Sequence, residues 1–393
     1  MSHQPGRHFL QIPGPTNTPL PVLAAIAKPT IDHRGPEFGI LGREVLAGIK
    51  TVFKTRNPVV IYPASGTGAW EAALVNTLSA GDRVLMFETG WFATLWNKMA
   101  TRLGLRPEFI KGDWRTGVNA DAIEARLSED KAREIKAVAV VHNETSTGVA
   151  SGIAAVRRAI DKAGHPALLL VDTISSLGSI DYRHDVWGVD VTVGGSQKGL
   201  MLPPGLSFNA VSDKALAASK KAQLPRSFWA WDEMIAANEK GYFPYTPATN
   251  LLQGLKVALG MLHEEGLDNV FARHDLLARA TRAGAQAIGL EIYGDADERS
   301  TVVTAVELPD SIDGGKVPGA LRKLGITANG GQDELKGRII RIAHCGYFGA
   351  FDILTSLSGL EIVLDQLGHE VEHGAGAGAA QRVFLEAGVP AAA

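Results

Sequence analysis

The sequence has few cysteines, no long apolar runs and no block of like charge. Its 393 residues contain a single cysteine, Cys345, which excludes an internal disulfide framework and favours a reducing compartment. No apolar stretch approaches the roughly 20 residues that a membrane-spanning helix needs, and the polar segment 1–7 lacks the apolar centre of a signal peptide. These absences predict a cytoplasmic protein with no membrane partner.

The charge balance and the histidines exclude further classes of function. Lysine and arginine number 39 against 42 aspartates and glutamates, and no basic block is present, so we expect no nucleic-acid partner. The histidines show no metal-ligand spacing such as His-Glu-x-x-His, and no metal site is predicted. A hydrophobic content of 45% and a charged content of 21% are typical of a soluble globular enzyme, and the length allows two domains.

The first two thirds of the chain alternate short β-rich runs with amphipathic helical patterns. Predicted strands cover residues 59–62, 83–88, 137–142, 167–172, 189–193 and 206–210, with helices at 43–55, 68–78, 91–103, 120–127 and 152–163. The runs at 137–141 and 167–171 are apolar throughout, as a sheet covered on both faces requires. This pattern predicts an α/β fold with a large, doubly wound, mostly parallel sheet.

The remaining segments divide the chain into an arm, two domains and a tail. Residues 1–21 form a proline-rich arm expected to be extended, residues 22–250 the large domain, and residues 251–370 a linking helix with a smaller C-terminal α+β domain. In that smaller domain we predict helices at 251–265, 269–288, 316–324 and 351–367 and strands at 302–308 and 338–343. Residues 371–393 are predicted to be a weakly ordered tail with one short helix near 381–387.

Polar residues collect after several predicted strands, where ligands bind in open α/β sheets. Ser65-Gly66-Thr67-Gly68 precedes a helix, so its free N–H groups could hold a phosphate, although an ordinary capped turn has the same composition. Residues 143–148 follow another strand and offer hydroxyl groups, Thr145 among them; a capped turn is again the alternative.

Asp172 and Lys198 end two further strands. A carboxylate at the end of a wholly apolar strand needs a cation, which is either a protonated ring nitrogen of a cofactor or a basic side chain of the core. Lys198 lies in the glycine-rich loop 194–199, where desolvation would lower the pKa of its amine; an ordinary loop lysine is the alternative. A phosphate cradle, an aspartate and a lysine in this order are what pyridoxal phosphate needs.

Taken together, these segments resemble the class V aminotransferases, which have the aspartate-aminotransferase fold (fold type I of pyridoxal-phosphate enzymes). Within that family the sequence is most similar to the serine–glyoxylate and alanine–glyoxylate aminotransferases. The resemblance extends from residue 13 to residue 344 and rests on segments 13–16, 65–68, 142–149, 171–178, 195–199 and 341–344.

The resemblance implies a role for each matching residue. Lys198 is implied to form the Schiff base and transfer the proton, and Asp172 to pair with the pyridinium nitrogen. The other implied contacts are Ser65, Gly66, Thr67 and Gln197 to the phosphate, Thr145 to the phenolic oxygen, Trp91 stacked on the ring, and Gly14 and Arg341 to the substrate. In the family a neighbouring subunit completes the phosphate site with Tyr-x-x-Thr; here Thr246 fits, but Phe243 stands at the tyrosine position, so Tyr245 or Tyr242 would replace it.

By resemblance the protein is a homodimer or higher homo-oligomer. It would move the amino group of serine (or alanine) to glyoxylate in a ping-pong reaction that yields hydroxypyruvate (or pyruvate) and glycine. Two alternatives stay open. A cysteine desulfurase would need Cys345 as a mobile nucleophile, and a catalytically silent binding protein could keep the fold without turnover.

Overall fold

The computed structural model describes residues 6–388. Its strands, in chain order, are β1 Phe9–Leu10, β2 Val59–Tyr62, β3 Arg83–Phe87, β4 Arg106–Ile110, β5 Ile135–Val141, β6 Asn143–Glu144, β7 Val149–Ala150, β8 Leu168–Asp172, β9 Val191–Gly195, β10 Ser207–Val211, β11 Val303–Glu307, β12 Ile326–Thr327, β13 Asn329–Gly330 and β14 Ile339–Ala343. All the strands predicted from the sequence are present, with ends shifted by one or two residues.

Helices at 20–26, 213–219 and 231–238 were not predicted, and the one expected at 43–55 begins at residue 36; the helices of the structure otherwise lie at the predicted positions. The helices are α1 Leu20–Ile26, α2 Pro36–Phe53, α3 Gly66–Thr77, α4 Trp91–Arg102, α5 Ala120–Glu129, α6 Ile153–Lys162, α7 Asp213–Ser219, α8 Trp231–Asn238, α9 Thr249–Glu265, α10 Leu267–Ala287, α11 Val317–Lys323, α12 Ala350–Gln366 and α13 Ala375–Glu386. Within residues 6–388 none of them is long and apolar enough to cross a membrane.

The main sheet has seven strands in the order β2-β10-β9-β8-β5-β3-β4. Only β10 runs antiparallel to its neighbours, so the carboxyl ends of the other six lie at one edge. Strands β8 and β9 are buried along their whole length, because helices cover both faces of the sheet. The doubly wound, mostly parallel sheet is thereby confirmed.

A separate antiparallel sheet, β11-β14-β13, lies in the C-terminal part of the chain. Its apolar side chains form a core with residues of α10, α11 and α12. The strands of the main sheet all precede residue 250 in the chain, and those of the smaller sheet all follow it. The exact domain boundaries stay a prediction.

The N-terminal arm differs from the expected extended segment. Its β1 pairs in parallel with β12, so the arm is attached to the C-terminal part of the chain. A helix, α1, begins at Leu20, inside the range predicted to be non-helical. Pro19 is its N-cap and Pro21 lies in its first turn, where a missing N–H removes no intrahelical hydrogen bond.

The helix predicted near residues 381–387 is present but begins earlier, and residues 375–380, predicted to be weakly ordered, are part of it. Residues 375–386 form the 12-residue helix α13, which packs against α10 and α12. Gly376 lies against the backbone of Gly284 in α10, where an added Cβ would stand 3.0 Å from the carbonyl oxygen. The small residues that suggested low complexity are those that allow close helix packing; the prediction for 389–393 lies outside the described residues.

Candidate active site

Loops from the carboxyl ends of β2, β5, β8 and β9 enclose a cavity of about 220 Å³. Its lining includes most of the residues selected from the sequence, and adds several that were not. The lining residues are Gly14, Pro15, Ser65, Gly66, Thr67, Trp70, Phe92, Asn143, Thr145, Asp172, Ile174, Ser175, Gln197, Lys198 and Pro204. This convergence follows from the parallel arrangement, which brings strand ends distant in sequence to one edge.

Lys198 lies at one side of the cavity and is 7% exposed. Burial lowers the pKa of its amine to about 8, because the charged form loses water. The Nζ atom donates a hydrogen bond to the carbonyl oxygen of Pro13 in the arm. Gly14 lies directly over the lysine: an added Cβ would be 2.3 Å from Lys198 Cε, and its φ of +111° also favours glycine. The arm therefore closes over the amine where only glycine fits.

Asp172 ends β8 and is 4% exposed. Its Oδ1 accepts a hydrogen bond from the backbone N–H of Ile174 at 2.6 Å, and its Oδ2 accepts one from Nε1 of Trp70 at 2.8 Å. Burial nevertheless raises the pKa of the carboxyl to about 7. Between residues 6 and 388 no lysine or arginine forms an ion pair with it, which argues against the core cation considered as an alternative.

The N-terminus of α3 points into the same cavity. Ser65 is the N-cap, but its side chain makes no capping hydrogen bond, and the N–H groups of Gly66 and Thr67 have no acceptor in the described part of the chain. An added Cβ on Gly66 would stand 2.2 Å from Ile174. Gln197, on the opposite loop, has a buried Oε1 without a partner. Free donors at a helix N-terminus fit a phosphate group.

Arg341 lies on β14 and is 4% exposed. Its Nε donates to the carbonyl oxygen of Gly330 at 2.9 Å, and its Nη1 donates to that of Thr145 at 3.0 Å and to Gln332 Oε1 at 3.3 Å. Every acceptor is neutral, and Nη2 has none among residues 6–388. Burial lowers the guanidinium pKa only to about 10, so it stays charged near neutral pH. Arg341 touches the wall of the cavity through Thr145.

Phe92 lines the cavity, as does Trp70, whereas Trp91, the aromatic residue expected to stack on the ring, does not. Trp91 begins α4, but its ring packs against a separate cluster, with Lys98 Nζ 4.6 Å from the ring centroid. Phe92 lines the cavity instead. Neighbouring side chains on a helix point about 100° apart, so only the orientation of α4 decides between the two.

Tyr245 and Thr246 do not line the cavity of their own chain. The Tyr245 hydroxyl donates to Glu233 at 3.1 Å and to the carbonyl oxygen of Ser227 at 3.2 Å, and Thr246 is exposed. Tyr242 is half-buried, with its hydroxyl 3.4 Å from the carbonyl oxygen of Gly35.

Sequence reasoning missed two supporting residues. Trp70 lies in the helix predicted at 68–78 and was not selected from the sequence, although its indole N–H donates a hydrogen bond to Asp172. Glu144 accepts hydrogen bonds from the N–H groups of Phe92, Ala93 and Ser146, and so caps the start of α4. The segment 143–148 was considered as a possible capped turn, and nothing in the sequence shows that Glu144 contacts the start of α4.

Cys345 does not fit a mobile nucleophile. It is 1% exposed, and burial raises the pKa of its thiol to about 11, so the reactive thiolate is absent near neutral pH. The geometry thus disfavours the cysteine desulfurase alternative.

A family model, "Aminotransferase class-V", matches residues 8–336. The chain belongs to the class V aminotransferases. It is 44% identical to the serine–glyoxylate aminotransferase of Methylorubrum extorquens, with 98% of each chain covered. It is also 43% identical to the L-aspartate–glyoxylate aminotransferase of Paracoccus denitrificans, covering 95% of this chain and 96% of that protein.

Solved structures agree on the fold. The ureidoglycine–glyoxylate aminotransferase of Bacillus subtilis superposes with a TM-score of 0.90 at 27% identity, covering 98% of this chain and 100% of the other. The fold type I architecture predicted for this class V aminotransferase is confirmed, and pyridoxal 5′-phosphate is its cofactor. The unpaired α3 donors and the buried, unpaired Asp172 fit its phosphate and its ring nitrogen.

Proposed function

We propose that this aminotransferase transfers the amino group of serine (or alanine) to glyoxylate, giving hydroxypyruvate (or pyruvate) and glycine in a ping-pong reaction. The observation that carries the proposal is the charge of the cavity wall. Within residues 6–388 of this chain, Lys198 is the single lysine or arginine that lines it, and Arg341 is the one basic side chain hydrogen-bonded to its wall, through Thr145. A donor with a second carboxylate, such as aspartate, would need a further cation, whereas serine and alanine do not.

The cofactor would be held by this chain at four points: its aldehyde carbon, its phosphate, its ring nitrogen and its phenolic oxygen. When bound, pyridoxal phosphate supplies an aldehyde that takes up the amino group and a ring that accepts the electrons left at Cα. Lys198 would attach to the aldehyde carbon. Ser65, Gly66, Thr67 and Gln197 would bind the phosphate; Asp172 the ring nitrogen; and Thr145 the phenolic oxygen. Phe92 replaces Trp91 in this proposal as the aromatic that lies against the ring.

Lys198 would also move the proton. With substrate bound in its place, the amine of Lys198 would be free. A pKa of about 8 would let this amine accept the Cα proton of the substrate and release it again near neutral pH. Burial excludes water that would compete for this proton.

Arg341 would bind the carboxylate shared by all the substrates. The hydrogen-bond acceptors of this buried guanidinium are all neutral, Glu144 acts on its charge without forming an ion pair, and its free Nη2 can donate to an incoming carboxylate. Gly14, which closes the cavity over Lys198, would lie against the same substrate.

The donor is tested by single half-reactions. Holoenzyme is mixed with L-serine, L-alanine or L-aspartate without an acceptor, and the loss of the cofactor's aldehyde absorbance is followed; glyoxylate, pyruvate and oxaloacetate are then tried in the reverse direction. We expect serine or alanine to react faster than aspartate, and glyoxylate to reoxidise the cofactor. Faster reaction with aspartate would overturn the proposed donor.

We also propose a homodimer in the cytoplasm, with Tyr245 and Thr246 of each subunit reaching the phosphate site of the other. The exposure of Thr246 and its absence from the lining of its own cavity support this arrangement. Lys198→Ala and Thr246→Ala proteins, each weakly active, should regain activity when mixed, since one site of a mixed dimer is intact. A fully active monomer by light scattering would contradict the proposal.

A further inference from the structure

Asp172 is the centre of an arrangement that the proposed reaction does not yet use. Both carboxylate oxygens have a single donor, the backbone N–H of Ile174 on one side and the indole N–H of Trp70 on the other. The backbone donor is present in any sequence, whereas the indole donor depends on one side chain. Among residues 6–388, Trp70 is therefore the one side chain that donates a hydrogen bond to this carboxylate.

The indole ring of Trp70 is itself fixed. It is 3% exposed, lines the cavity from α3, and stacks on Trp96 of α4 with ring centroids 5.8 Å apart and planes 14° from parallel. The two rings differ in one respect. Nε1 of Trp70 donates to Asp172 at 2.8 Å, whereas the buried Nε1 of Trp96 has no partner in the described residues.

The surroundings of Asp172 raise the pKa of its carboxyl more than they lower it. Burial, the largest influence, raises its pKa, and Glu144 on the neighbouring loop acts in the same direction. The hydrogen bonds from Ile174 and Trp70 and the positive charge of Lys198 lower the pKa of Asp172. The pKa of Lys198 is itself lowered by burial. His142, at the end of the adjacent β5, is kept neutral near pH 7 because burial lowers its pKa to about 4.

We infer that Trp70 is a positioning residue: its indole N–H keeps the Asp172 carboxylate ionised and oriented toward the cofactor's ring nitrogen. The inference rests on the role proposed for Asp172. It predicts that the same α3 helix supplies both the phosphate donors, at its first turn, and the support for the ring-nitrogen partner, one turn later. One helix, α3, would then contact the phosphate of the bound cofactor and support the residue that binds its ring nitrogen.

The stacked pair provides a matched test. Trp70→Phe removes the N–H bonded to Asp172, while Trp96→Phe removes an N–H without a partner and causes a similar loss of ring size. The dissociation constant of pyridoxal phosphate is measured on the apoproteins as a function of pH, and the protonation of ¹⁵N-labelled cofactor is followed by NMR. Thermal unfolding shows whether each variant is folded.

We expect Trp70→Phe to weaken cofactor binding by roughly tenfold or more, as loss of a hydrogen bond to a charged group does. The acid limb of binding should move to higher pH, because a carboxylate without its donor has a higher pKa, and the ring nitrogen should lose its proton more readily. Trp96→Phe should stay within about twofold of the parent. Equal behaviour of the two variants would overturn the inference.

Asp172→Asn, measured in parallel, distinguishes the role inferred for Trp70 from the role proposed for Asp172. If Asp172→Asn binds cofactor normally, the proposed role of Asp172 fails; if it binds weakly and Trp70→Phe does not, only the inference fails. Should Trp70→Phe not fold, ¹⁵N-tryptophan labelling of the unmodified apoprotein replaces it. One indole signal should then titrate with Asp172 and become pH-independent in Asp172→Asn, and the absence of such a signal would refute the contact.

Discussion

The two sides of the cavity hold their charged groups in different ways. On the main sheet, Asp172 and Lys198 follow the adjacent strands β8 and β9, and burial moves the two pKa values toward each other, to about 7 and about 8. On the smaller sheet, Arg341 is also buried, yet its pKa falls only to about 10. The main sheet thus presents groups that can exchange protons near neutral pH, and the smaller sheet a constant positive charge.

Removing the proton-exchanging lysine should have the largest effect. Lys198→Ala is expected to lower kcat at least about a thousandfold, since proton transfer by a positioned side chain alone contributes roughly 10²–10⁴-fold. Steady-state rates on holoenzyme, with the exposed Lys220→Ala as control, check this. Turnover near that of the parent protein would refute the assignment of Lys198.

Neutralising Asp172, on the same sheet as Lys198, should have the second largest effect. Asp172→Asn is expected to slow the half-reaction about a hundredfold, because a fixed charge that stabilises the reacting ring is lost. Single-turnover kinetics measure this, against the exposed Asp310→Asn. A rate within about threefold of the parent, well under the 1.4 kcal/mol of a tenfold effect, would make Asp172 a structural residue only.

On the smaller sheet the effect should fall on binding rather than on chemistry. Arg341→Lys keeps the charge but loses the planar fork, so KM for donor and acceptor alike should rise roughly tenfold or more. The exposed Arg338→Lys, just before the same strand, is the matched control. A rise for one substrate alone would show that the carboxylate is bound elsewhere.

An effect of a different kind, on stability rather than on catalysis or binding, should appear in the apoprotein. The folded state raises the Asp172 pKa from 3.8 to about 7, so between these values it binds a proton that the unfolded chain has released. This contribution to the free energy of unfolding is lost as pH rises through the folded pKa. The stability of Asp172→Asn relative to the parent should therefore increase from about pH 4 to about pH 7 in urea titrations. A pH-independent difference would contradict the buried, unpaired state.

Much of this architecture was predictable because its signals are local. The fully apolar runs at 137–141 and 167–171 are typical of a parallel sheet covered on both faces, and parallel strands bring their carboxyl ends to one edge. Strand and helix positions followed for the same reason. The family's motifs then assigned a chemistry to that edge.

What only the tertiary structure decided concerns direction and long-range contact. Trp91 and Phe92 are consecutive, and the orientation of α4 alone selects Phe92 for the cavity. Trp70 and Asp172 lie 102 residues apart, and no sequence pattern records the hydrogen bond between them. The glycine- and alanine-rich segment 375–386 is similar to disordered chain by composition, yet it is ordered because α10 and α12 offer a closely fitting surface. Composition and periodicity report which residues can be buried; which partner each one meets depends on how the elements pack.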